Sequence, residues 1–232
     1  LSFPLIVKPV AEDASIGVGA DAVVHSVPAL RHRIAYIVEH YRQAALAETF
    51  VVGREFNVSV WGDPPQVLPL AEIDFCAFSN PYERIVSYAA KWEEDSFEYE
   101  NTPVLCPAPV EPQVGERIIA VALRSWDAIG CRGYARVDMR LSEEGIPYVV
   151  EVNCNPDLSP DAGFYRAARA AGFTYADMSV RILEIAWRQF DARDRDSFAQ
   201  RWPLYLGDHG QSWHLQPHGA ELRRRAMVRV SG

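Results

Sequence analysis

The chain has 232 residues, a length that holds one large domain or two small ones, and 49% hydrophobic with 23% charged residues exclude a disordered or fibrous protein. Lys and Arg number 23 against 31 Asp and Glu, a net charge of −8 that disfavours nucleic acid and anionic membranes as partners. No window holds enough consecutive apolar residues for a membrane span, and the opening LSFPLIVKPV has neither a basic region nor a cleavage site of small residues.

In chain order, FPLIVKPV is an apolar strand running into a loop at Lys8-Pro9, and AEDASIGVGAD is a loop of small residues that lets backbone approach a ligand. ADAVVH reads as a second strand. Ser26, with Pro28 just inside, starts a helix that runs to about Tyr41, with Leu30, Ile34, Ile37, Val38 and Tyr41 on one face. LAETFV is a strand broken by Gly53. REFNVSVWG alternates, Phe56, Val58 and Val60 pointing one way and Glu55, Asn57 and Ser59 the other. VLPLAEIDF is expected as another strand and residues 79–112 as irregular chain. A helix over roughly 113–129 carries Ile118, Val121, Ala122, Trp126 and Ile129 in one stripe, with Gly130 as its stop. GYARVDMRL and PYVVEVN form two strands around Glu144-Gly145, and helices near 161–171 and 176–190 follow. From about 191 the chain is charged and aperiodic, a tail or linker. The fold class is α+β with mainly antiparallel sheet. Cys76, Cys106, Cys131 and Cys154 are widely spaced without a CxxC, which reads as reduced thiols of a cytoplasmic protein rather than a disulfide framework or zinc site.

The most informative stretch is Gly133 to Asn153. Tyr134, Arg136, Asp138 and Arg140 share a face of one strand, and Val149, Glu151 and Asn153 share a face of the next. A hairpin closing on an even loop at Glu144-Gly145 sets Asp138 opposite Glu151 and Arg136 opposite Asn153. Opposed like charges destabilise a sheet. A divalent cation would neutralise them, and two carboxylates with an amide oxygen are hard ligands suited to Mg²⁺ shared with nucleotide phosphates. Arg136 beside them could stabilise charge on a transferring phosphoryl group. Ordinary pairing of Asp138 with Arg136 or Arg140 on a solvent-facing strand pair would serve the same pattern. In the loop after Lys8, backbone around Ser15, Gly17 and Gly19 could cradle phosphate, or form a plain turn. It lacks the Gly-Lys-Ser/Thr of a Walker loop and the third glycine of a Rossmann fingerprint. The histidines of the tail read as surface residues.

Taken together, the strings PLIVKPVAEDASIGVG, AETFVVGREFNVSVWG, the lone Lys91, the CPAP segment, GCRGYARVDMRL, EVNCNPDLS and AGFTYADMSVRILEIA resemble the ATP-grasp superfamily, specifically the D-alanine–D-alanine ligase family, over about residues 3–190. The resemblance implies an ATP-grasp fold of antiparallel sheets with flanking helices. Residues 1–53 would be part of the central subdomain, 54–190 the C-terminal domain and 191–232 a tail or linker. It implies that Lys8 contacts ATP phosphates under a loop around Ser15, that Glu48 and the backbone near Val51 meet the adenine, and that Glu55 holds the ribose. Lys91 would reach the phosphates, Arg136 stabilise the phosphoryl group and tetrahedral intermediate, and Asp138, Glu151 and Asn153 bind Mg²⁺. Asp157 and Ser159 fall on the substrate side.

The implied chemistry is attack of a carboxylate on the ATP γ-phosphate, then attack of an amine on the acyl phosphate, with small-molecule carboxylate and amine substrates. Members that join D-alanine usually have Gly-Ser-Ser in the phosphate loop, Pro-Gly after the metal Asn followed by a Ser, and an aromatic hydroxyl after the Lys. Here these places hold Asp13-Ala14-Ser15, Pro156-Asp157 with Ala162, and Trp92. The departures imply a substrate other than D-alanine. Leu1 falls in the middle of the family's central domain, so the N-terminal substrate domain is expected from the same polypeptide or a partner chain, and a homodimer is compatible with the reading. The alternatives are a nucleotide-binding or regulatory module without ligase turnover, and phosphorylation of a non-amino-acid carboxylate.

Overall fold

Leu5, Val7 and Pro9 alternate with Ile6 and Lys8, and in the computed structural model, which describes residues 1–189, the first set is buried. The expected tail over 191–232 lies outside the described residues. The chain divides into two compact units, Leu1–Gly172 and one beginning at Phe173.

The first unit contains two antiparallel sheets. Strands β1 (Leu5–Pro9), β2 (Val23–Val24) and β3 (Ala45–Thr49) form one, in the order β2-β1-β3. Helix α1 (Val27–Tyr41) connects β2 to β3. Ser26 caps it by accepting from the amide of Ala29 at 3.4 Å, Pro28 sits in its first turn, and Arg42 ends it in the left-handed region. Ile37 packs with Leu5, Val7 and Val24, flanked by Leu30 and Ile34. Val38, expected on this face, is exposed.

The second sheet begins where the first stops. Gly53 opens β4 (Gly53–Trp61) at φ 147°, and a Cβ there would overlap the carbonyl oxygen of Leu141, so only glycine fits. The expected strand VLPLAEIDF is two pieces, β5 (Gln66–Val67) and β6 (Ala71–Ile73), separated at Pro69, which has no N–H to give a ladder. Residues 79–112, expected to be irregular, contain α2 (Tyr88–Trp92), α3 (Phe97–Glu100) and β7 (Val104–Leu105). Ser87 and Ser96 cap the two short helices by accepting from Ala90 and Tyr99. Then come α4 (Pro112–Ile129), β8 (Tyr134–Ser142), β9 (Pro147–Asn153) and α5 (Gly163–Ala170). The sheet order is β7-β6-β4-β8-β9, with β5 also on β4.

The apolar faces set out by the alternation meet here. Phe56, Val58 and Val60 of β4 and Val137 and Met139 of β8 are fully buried against Ile118, Ala122 and Trp126 of α4. Burying a side chain such as Phe56 or Ile118 is worth about 1.5–3 kcal/mol. Ile129, at the end of the predicted stripe, is exposed, and Gly130 closes the helix at φ 71°. Phe164 of α5 packs edge-on to Trp61 and Tyr134, which fastens the loop after β9 to the sheet.

The hairpin β8–β9 does not close on an even loop. Leu141 pairs with Pro147, Arg140 with Tyr148 and Met139 with Val149, a register that would set Asp138 against Val150. A bulge at Val150 adds the one residue that restores the expected pairs, Asp138 with Glu151 and Arg136 with Asn153.

The second unit, as described, is helix α6 (Tyr175–Gln189), which starts one residue earlier than predicted; its predicted end at 190 lies outside the described residues. Asp177 accepts from Thr174 at its start, and Arg181 pairs with Glu184 at 3.3 Å. Among the described residues no helix is long and apolar enough to cross a membrane.

Candidate active site

A cleft of about 870 Å³ lies in the first unit, lined by residues of both sheets, of the loop after β1 and of α2. Because β1 alternates, burial of Val7 and Pro9 turns Lys8 toward it. Lys8 Nζ lies 2.7 Å from Glu48 Oε2 on β3, so the two residues assigned to the nucleotide neutralise each other.

The loop after β1 is shaped by three residues at positive φ. Ala14 and Ser15 adopt φ 51° and 63°, at about 1–2 kcal/mol each for residues with a Cβ. Gly17, at φ 75°, takes a conformation in which a Cβ would strike the ring of Pro9. The loop is held from outside. Ser15 Oγ donates to the carbonyl of Val86 at 2.7 Å, Trp92 Nε1 donates to that of Ala14 at 3.1 Å, and the amide of Tyr88 donates to that of Val18 at 2.9 Å. On its inner side, buried Arg33 of α1 donates to Asp21 at 2.6 Å and to the carbonyl of Gly17 at 2.5 Å.

The floor is a polar band across β4, β8 and β9. Cross-strand pairing stacks Glu55 on Arg140, Asn57 on Asp138 and Ser59 on Arg136, and on the far side Asp138 on Glu151 and Arg136 on Asn153. Asp138 is gripped by both nitrogens of Arg136, Nε at 2.6 Å from Oδ1 and Nη2 at 2.6 Å from Oδ2, and it accepts from Asn57 Nδ2 at 2.8 Å. Arg136 also reaches Glu151 at 3.9 Å. Glu151 is 55% exposed, and the partial burial that remains pushes its carboxyl above the ordinary range, with the facing Asp138 pushing it further while Arg136 and Lys91 oppose. Burial likewise raises Glu55, against the pull of Arg140.

Arg140 closes the back of the cleft. Its guanidinium donates to Val51 O at 2.7 Å, Gly53 O at 3.2 Å and Arg84 O at 2.8 Å, and to Glu55 Oε2 at 2.9 Å. Its ion pair with Glu55 is nearly buried. Sequence reasoning offered Arg140 only as a charge partner for Asp138; its place on the face of Arg136 and Asp138 was the available signal. Asn57 and Arg33 were missed, although Asn57 sat on the predicted polar face beside Glu55.

Lys8, Ser15, Glu48, Val51, Glu55, Lys91, Asp138 and Glu151 all line the cleft; Arg136, Asn153, Asp157 and Ser159 are not among its lining. Lys91 of α2 makes no ion pair among the described residues. Asn153 Oδ1 accepts from the amide of Asn155 at 2.9 Å. Asp157 Oδ1 accepts from both the amide and the hydroxyl of Ser159 at 2.8 Å, and these bonds, the amide first, hold its pKa below the usual range. No group of three or more His, Cys, Asp or Glu is arranged to hold a metal among the described residues. The hard oxygen donors at the floor are the facing carboxylates Asp138 and Glu151, with Asn153 in the next pair along β9.

Two antiparallel sheets around a cleft with lysines on one lip and facing carboxylates on its floor are the ATP-grasp fold. The sequence profile described as D-ala D-ala ligase C-terminus matches residues 1–184, and the chain belongs to that family. It is 34% identical over 191 residues to the uncharacterized protein y4sG of Sinorhizobium fredii, covering 82% of this chain and 54% of that protein. It is 32% identical over 186 residues to the D-alanine–D-alanine ligase of Haemophilus influenzae, covering 80% and 57%. The D-alanine–D-alanine ligase of Bacillus anthracis crystallised with ATP superposes with a TM-score of 0.62 at 26% identity, covering 80% of this chain and 53% of that one. The VanG D-Ala:D-Ser ligase of Enterococcus faecalis shares the fold, with a TM-score of 0.63 at 23% identity, covering 80% and 50%. The chain thus spans about half the length of the curated relatives it matches.

Proposed function

We propose that this chain is the nucleotide-handling half of an ATP- and Mg²⁺-dependent carboxylate–amine ligase that forms an amide through an acyl phosphate. The observation that carries the reading is the facing pair Asp138 and Glu151, which line a cleft that also presents Lys8 and Lys91, while Arg136 holds Asp138 from outside that lining. In this reading Glu48, the backbone at Val51 and Glu55 receive the nucleoside, and Lys8, Lys91 and the backbone around Ser15 receive the phosphates. Mg²⁺ would be held by Asp138, Glu151 and Asn153, where it would neutralise phosphate charge and polarise the transferring group. The donors suit it: all are hard oxygens.

Within that frame the protein's work is positioning and charge. Asn57 and Arg136 orient Asp138, and Arg140 fixes Glu55. Lys8 exchanges Glu48 for phosphate, and Arg136 presents its guanidinium to the phosphoryl oxygens as charge develops there. Asp157 and Ser159 stand on the substrate side, where Asp157 would meet an ammonium group. Ala14 and Ala162 lack hydroxyls and Trp92 spends its N–H on Ala14, so the substrate proposed is an amino-bearing compound other than D-alanine.

A nucleotide-binding or regulatory module without turnover is the second reading. It is favoured by the bidentate hold of Arg136 on Asp138, which occupies the guanidinium that transfer would need. Phosphate release from Mg²⁺-ATP by the full polypeptide, across a panel of amino acids and small carboxylates, separates the two. Selective synthesis of D-alanyl-D-alanine would overturn the substrate proposal. Absence of binding heat at millimolar nucleotide would overturn the nucleotide assignment itself.

A further inference from the structure

Cys131 and Cys154 are separated by 22 intervening residues, yet their sulfurs lie 3.7 Å apart. Cys131 belongs to the short segment between α4 and β8, and Cys154 immediately follows the last residue of β9. The two strands bring them together: Arg136 pairs with Asn153, so chain ahead of Arg136 runs beside chain beyond Asn153. Of the other thiols, Cys106 donates to the carbonyl of Pro69, and Cys76 is exposed in a turn where its amide donates to Asp74, with no second cysteine paired to either among the described residues.

We propose that Cys131 and Cys154 are a thiol pair that oxidises to an intramolecular disulfide across the open end of the β8–β9 hairpin. A disulfide needs its sulfurs at about 2.05 Å, so they must approach by about 1.7 Å. The backbone permits this. Neither residue is in a strand or helix, so the approach breaks no ladder bond. Cys131 lies between Gly130 and Gly133, both at positive φ with nothing within 4 Å of where a Cβ would stand. Cys154 is exposed and Cys131 half-buried, so an oxidant in solution meets Cys154 first.

With a small-molecule disulfide as oxidant, the Cys154 sulfur attacks one of its sulfurs and expels one small thiol. The Cys131 sulfur, losing its proton to solvent, then attacks Sγ of Cys154 and expels the second. Two protein thiols become one disulfide and the small-molecule disulfide becomes two thiols, so electrons and protons balance. The bridge ties the residue after Asn153 to the end of α4. It therefore stiffens the exit of the strand that carries Glu151 and Asn153.

The test is incubation of the protein with oxidised glutathione at near-neutral pH, followed by thiol titration and peptide mapping without reduction. The free thiols are expected to fall from four to two. A peptide joining Cys131 to Cys154 is expected, and the urea midpoint should rise and revert with a reductant. Cys76→Ser and Cys106→Ser should retain the bridge, and Cys131→Ser should stop at a glutathione adduct on Cys154. Four titratable thiols after incubation, or stable glutathione on Cys154 of the unsubstituted protein without the bridged peptide, would overturn the proposal.

Discussion

Glu151 faces Asp138 directly across the β8–β9 ladder, two carboxyl groups on one side of adjacent strands with a single guanidinium, Arg136, between their charges. Partial burial first, and then Asp138, raises the Glu151 carboxyl above the ordinary 4.5, an effect that solvent screens because the side chain is 55% exposed. A raised carboxyl binds protons more tightly in the folded than in the unfolded chain. Its contribution to stability is therefore complete below pH 4.5 and is lost as pH rises through the higher folded value. Glu55, raised by its own burial, adds in the same direction. In the absence of divalent cation, urea midpoints followed upward from pH 4.5 should fall less in Glu151→Gln than in the unsubstituted chain. The same substitution should greatly weaken the response to Mg²⁺-ATP. Parallel pH profiles for the two proteins would refute the carboxylate strain.

Arg136 holds Asp138 with two parallel bonds, a geometry that lysine cannot reproduce. Arg136→Lys keeps the charge and loses the fork. In the full polypeptide, ATP turnover should fall by about 10²–10³, the size of effect seen when one donor to a developing charge is removed. Nucleotide affinity measured by calorimetry should change far less. Equal losses in both would place Arg136 in binding rather than in transfer.

Arg140 serves three backbone carbonyls and one carboxylate from a nearly buried position. Arg140→Met leaves Glu55 without its cation beneath the cleft. Breaking a buried pair from one side costs about 3–5 kcal/mol, and the urea midpoint should drop accordingly. Adding Glu55→Gln to that variant should restore part of the loss; strict additivity of the two changes would show that the pair is uncoupled.

Trp92 reaches from α2 to the carbonyl of Ala14, an exposed bond among those that hold the loop after β1. Trp92→Phe removes that donor and little packing. Hydrogen exchange at residues 13–18 should quicken, by about the tenfold that 1.4 kcal/mol of one bond allows, while the global urea midpoint stays within about 0.5 kcal/mol. Unchanged exchange there would mean that Ser15 and Arg33 suffice to hold the loop.

Where a pattern in the residues matched a period, the fold was legible. The alternation of Phe56, Val58 and Val60 and the stripe of Ile118, Ala122 and Trp126 both face the core. The short pieces α2, α3 and β7 carried no such signal, because four or five residues do not complete a period. The division of β5 from β6 had a sign in Pro69 that a reading by apolar content alone passed over. At the site, Asp138, Glu151 and Arg136 were legible because one hairpin brings them together and its charges conflict. The expected pairing held through a bulge at Val150 that offsets an odd loop, two departures that cancel. Arg140 could not be read in full, because its partners are carbonyls from residues 51, 53 and 84, and a carbonyl leaves no trace in a sequence.

The clamp of Arg140 decides which way the cleft can open. At the end where the chain crosses from Thr49 to Gly53, parting the sheets would strand a guanidinium and its carbonyls away from water, at roughly 1–3 kcal/mol for each group left without a partner. At the opposite lip, Ala14, Ser15 and Val18 hang on single neutral hydrogen bonds to Trp92, Val86 and Tyr88. Opening at that lip is therefore the less costly movement, since it releases neutral bonds while the sheets behind stay clamped.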